Sequence, residues 1–62
     1  MTIDPRTEIK HRAAASRERA AQYESLAEDA KQRGDVEMSA SFAASAAEER
    51  IEAQRLEDSL KP

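Results

Sequence analysis

Gly34 is the only glycine in the chain, and no proline lies between Pro5 and Pro62. A stretch of nearly thirty residues without a helix breaker therefore stands on each side of a single residue suited to the left-handed conformation that ends a helix. The start signal is equally explicit. Asp4 can accept a hydrogen bond from a free helix amide, and Pro5 follows where its missing N–H costs nothing. Asp35, directly after the glycine, can cap a second helix in the same way. The sequence predicts an all-α, antiparallel two-helix hairpin, with helices at about 5–33 and 36–60 and a tight turn at 34–35, forming one domain over residues 1–62.

Composition favours long helices over disorder. Ala, Glu, Lys, Leu and Arg dominate, while Gly and Pro together number three. The chain holds no cysteine, so neither disulfides nor thiolate-held zinc can supplement a small core. No apolar run approaches the roughly 20 residues of a membrane span, and Asp4, Arg6 and Glu8 stand where a signal peptide would be apolar. A cytoplasmic protein without a membrane partner is expected. Abundant Ala, and Arg in excess of Lys, suggest a bacterial or phage source.

Apolar and small residues supply a register. Ile9, Ala13, Ser16, Ala20, Tyr23, Ala27, Ala30 and Gly34 step by four and three along the first helix. Phe42, Ala46, Glu49, Ala53, Leu56 and Leu60 do the same along the second. Folding at Gly34 places Ile9 near Leu60, Ala13 near Leu56, Tyr23 near Ala46 and Ala27 near Phe42, so that large faces small. Glu49 is the misfit in this seam and is expected to lean to the rim toward Arg19 or Arg17. Ser41 and Ser45 read as small residues inside the helix contact. Residues 6–19 carry a net charge of +3 and residues 48–58 a net −3, which favours the same antiparallel pairing.

The uncharged run from Met38 to Ala47 gives the second helix more apolar surface than one neighbour can cover. Val36, Ala40, Ala43, Ala47 and Ile51 form a second stripe, well over 100° from the Phe42 and Leu60 stripe at 100° per residue. These five residues are the expected partner or dimer interface. The hairpin is expected to dimerise into a four-helix bundle, and to act as a small non-enzymatic protein–protein interaction or regulatory module through helix packing.

Other chemistry finds little support. Glu8 and His11 have the carboxylate–imidazole spacing of di-iron bundles, but on the helical wheel both point away from the seam. The serines include no nucleophile with a base and an orienting group, so no catalytic, metal or cofactor site is expected. The alternative function is a nucleic-acid-binding regulatory hairpin, using Arg12, Arg17 and Arg19 on the basic part of the first helix for phosphate contacts. That segment lacks an aromatic residue for base stacking. Around the turn, the spacing of Leu26, Ala27, Gly34, Asp35 and Ala46 is similar to part of a tetratricopeptide repeat. Ala30 and Ala43, however, stand where that pattern prefers large residues.

Overall fold

The computed structural model describes residues 4–62. Two α-helices, α1 (Pro5–Gln32) and α2 (Val36–Asp58), pack side by side as an antiparallel hairpin. The caps anticipated from sequence form. Asp4 accepts from the Arg6 amide at 2.9 Å, with Pro5 in the first turn, and Asp35 accepts from the Met38 amide at 3.0 Å.

Gly34 adopts φ +81°, the left-handed conformation. Its amide donates to the Lys31 carbonyl at 3.0 Å, and the Asp35 amide donates to the Ala30 carbonyl at 2.9 Å. This pair of bonds closes α1 on its own carbonyls. Asp35 thus finishes one helix with its N–H and starts the next with its carboxylate. The distal end of α2 falls two residues short of the expected Leu60. There the amides of Leu60 and Lys61 bond to the carbonyls of Glu57 and Asp58, tightening the last turn.

The seam follows the four–three spacing. Ala13, Ser16, Ala20 and Ala30 of α1 are buried against Ala46 and Ala53 of α2, while Ile9, Tyr23, Ala27, Phe42, Leu56 and Leu60 are half-buried around them. Gly34 is exposed because it forms the turn instead of the contact. Of the two serines assigned to the seam, Ser45 is half-buried and Ser41 is exposed. Ser39, one helical turn before Phe42, is half-buried as well.

The core is made of small side chains, and Ser16 is the largest that is fully enclosed. Its hydroxyl accepts from Arg19 Nη2 at 3.1 Å, which satisfies the one buried polar side chain among the described residues. Tyr23 reaches toward Phe42, with ring centroids 6.3 Å apart and planes inclined by 29°.

Ion pairs line both rims. Arg17 grips Glu57 through two bonds, Nε to Oε2 at 2.7 Å and Nη2 to Oε1 at 2.5 Å. Arg19 Nε meets Glu49 Oε2 at 2.8 Å, so the seam's misfit does lean to the rim. Near the turn the polarity reverses, and Arg50 of α2 pairs with Glu24 of α1. A sliding antiparallel partner would break all three together, so these contacts select one register.

The result is a slab 48 × 23 × 10 Å in Cα extent, one helix thick. Its radius of gyration is 14.6 Å, against about 11 Å for a compact chain of this length. Among the described residues, no helix is long and apolar enough to cross a membrane.

Candidate interaction surface

Because α1 occupies only one side of α2, the uncharged run from Met38 to Ala47 is not enclosed. Ala40, Ala43, Ala44 and Ala47 are exposed, and so are Val36 at 77% and Ile51 at 60%. The five stripe residues fall within about 80° of arc, centred about 130° around α2 from the seam. They lie on one exposed face of the helix, as their spacing requires. A valine stands at one end, an isoleucine at the other, and alanines lie between.

A shallow depression of about 390 Å³ opens at the turn end of this face, lined by Val36, Ser39, Ala40, Ala43 and Lys31. Its four α2 residues stand at positions i, i+3, i+4 and i+7, the diamond that receives a single side chain from a facing helix. A neighbouring hollow between the helices is bounded on the α1 side by Glu24, Ala27, Glu28 and Lys31, and on the α2 side by Ser39, Ala43, Ala46 and Arg50. The stripe therefore borders charged residues wherever α1 adjoins it. Apart from the half-buried Ala27 of α1, apolar surface on this side of the hairpin belongs to α2.

A second, smaller apolar area lies at the turn end. Leu26 is 42% exposed and Met38 44% exposed. Leu26 follows Tyr23 by three residues and Met38 precedes Phe42 by four, so each lies beside an aromatic ring on the same side of its helix. The sequence places Leu26 off its own stripe, and the pairing of Tyr23 with Phe42 is what joins it to a patch.

The three arginines considered for phosphate contacts do not form one surface. Arg12 and Arg19 line a common depression with Ala15, Ser16, Glu52 and Leu56. Arg17 lies about 140–160° away around α1 and is engaged by Glu57. Arg19 is likewise engaged by Glu49. The Arg17 and Arg19 guanidiniums are held above their ordinary value, chiefly by these hydrogen bonds to carboxylates. The Glu57 carboxyl is correspondingly held below the usual range by its bond from Arg17. Glu8 and His11 are both exposed. Among the described residues, no three or more His, Asp or Glu side chains converge as a metal site would need.

The architecture is that of a minimal helical hairpin with one uncovered apolar helix face. No family model matches the chain, and no curated protein or solved structure matches it either.

Proposed function

We propose that this protein is a small non-enzymatic interaction module that works through helix packing, self-associating through the exposed face of α2 into an assembly of four helices. The observation that carries this reading is the solitary layer. Domains are stabilised by two or more layers closing on a shared core, whereas this hairpin encloses only alanines and one serine and leaves Val36 and Ile51 in water. It exposes 4838 Å². A compact chain of 6.9 kDa exposes about 4,000 Å². The surplus is several hundred Å², the same order as the roughly 800 Å² that each partner contributes to a stable interface. An adaptor, an inhibitor or a regulatory subunit would use such a surface in the same way.

Sedimentation equilibrium tests the proposal. The wild-type chain is expected to be a dimer at micromolar concentration, and Ala43→Glu is expected to be a monomer that keeps its helical circular dichroism, because residue 43 lies outside the seam. A wild-type monomer at high micromolar concentration refutes self-association. Neutralising Arg12, Arg17 and Arg19 together is expected to leave the dimer in place. Salt-sensitive binding of duplex or hairpin RNA that disappears in that variant would favour the nucleic-acid alternative instead.

A further inference from the structure

The geometry points to a specific arrangement of the second copy: α2 of one chain crosses α2 of the other antiparallel, at Ala43, Ala44 and Ala47, with the partner's Ile51 seated in the depression bounded by Val36, Ser39, Ala40 and Ala43. This inference rests on the self-association proposed above and adds the face, the direction and the register.

Three observations carry it. The depression is walled by four α2 residues and edged by Lys31 of α1, and an apolar side chain able to enter it, Ile51, protrudes from the same face of the same helix. Hole and knob are about 17 Å apart along the axis at 1.5 Å per residue. A two-fold axis between the two α2 helices, at the level of Ser45 and Ala46 along the axis, therefore exchanges them, and both holes fill at once, as an isologous contact requires.

With the adjoining exposed Ala44, the stripe forms two rows of every fourth residue, Val36–Ala40–Ala44 and Ala43–Ala47–Ile51. Rows of that kind interlock when helices cross at about −50°, and that crossing brings the off-centre Ile51 over the hole. Alanines occupy the crossing point, where a small side chain lets the axes approach to about 8 Å. Finally, Glu24, Glu28 and Lys31 border the α1 side of this surface. A face-to-face stack burying both helices would strip Glu28, Lys31 and the Glu24–Arg50 pair of water, so the contact is centred on α2 with Lys31 at its edge.

The native chain has no cysteine, so single-cysteine variants report proximity directly. In the proposed dimer, Ala47→Cys places two thiols beside the crossing point, whereas Val36→Cys holds them about 28 Å apart along the axis. Under air oxidation the Ala47→Cys chain is expected to form interchain disulfide on the order of tenfold faster than the Val36→Cys chain. Equal or faster bridging by Val36→Cys would mean a parallel, turn-to-turn pair and overturn the arrangement. Rapid bridging by Leu26→Cys, with none by Ala47→Cys, would overturn it in favour of the patch beside Tyr23 and Phe42. With a dimeric wild type in sedimentation, the first result leaves self-association through the α2 face standing and the second leaves self-association but not that face; a monomeric wild type removes both proposals.

Discussion

Arg19 holds Glu49 at the edge of the helix seam, Nε to Oε2 at 2.8 Å, while the residues one turn to either side on α2, Ala46 and Ala53, are buried. A carboxylate thus occupies a position whose spacing calls for an apolar side chain. It is tolerated because its charge is led outward to a guanidinium that also satisfies the buried Ser16 hydroxyl.

Replacing Glu49 by leucine is expected to stabilise the hairpin by about 1 kcal/mol, through apolar area removed from water at the seam. Arg19→Ala alone is expected to lower the thermal midpoint. The same change in the Glu49→Leu background should lower it less, since the carboxylate it answered is gone. Thermal melts of the four chains read the difference.

Acid is expected to loosen the end of the hairpin opposite the turn. The Glu57 carboxyl is held low chiefly by its hydrogen bond from Arg17, and that of Asp58 by bonds from Gln54 and Lys61. Both folded-state values lie below the unfolded ones. The stabilisation is therefore complete above the ordinary carboxylate range near pH 4 and is lost as pH falls through the lowered values. Unfolding followed by circular dichroism between neutral pH and strong acid should show this loss, and Glu57→Gln should make the profile shallower.

Gly34→Ala is expected to cost about 1–2 kcal/mol, the cost of a left-handed backbone for a residue with a Cβ. No heavy atom lies within 4 Å of where that Cβ would sit, so the cost comes from the backbone alone. Gly34→Asn should recover part of it. Asp35→Ala is expected to cost about 1 kcal/mol through loss of the α2 cap. Urea denaturation separates the two positions.

The contrast between adjacent alanines gives a further check. Ala46 is 1% exposed in the seam, and Ala47 is exposed on the stripe. Ala46→Leu is expected to destabilise the hairpin by about 1–3 kcal/mol through overpacking. At Ala47 the same change should leave hairpin folding intact and act on association only.

Much of this was legible in the sequence because the signals were local. Asp4–Pro5 and Gly34–Asp35 act over a few residues, and the four–three spacing from Ile9 to Ala30 maps directly onto buried or half-buried positions. What escaped was set by how far individual side chains reach. Ser16 stands in the seam spacing, but the bond that satisfies its hydroxyl depends on Arg19, one turn along α1, having a free donor. The Tyr23–Phe42 pairing depends on how far a large ring leans past its nominal partner, Ala46. Glu24 lies beyond the basic segment 6–19, and Arg50 is a cation inside the acidic segment 48–58, so their pairing runs against the charge pattern that fixes the register from sequence. The uncovered stripe was visible in the spacing of Val36, Ala40, Ala43, Ala47 and Ile51, since one neighbouring helix can shield only one side of another.

A slab one helix deep keeps every amide within a side chain's length of solvent. In the lone hairpin, protection from hydrogen exchange can come only from the helical bonds themselves, and it should fade smoothly toward the frayed ends. Association would change that profile unevenly. The middle of α2, walled on two sides, would become the slowest-exchanging part of the molecule, and α1 would keep the dynamics of an outer shell.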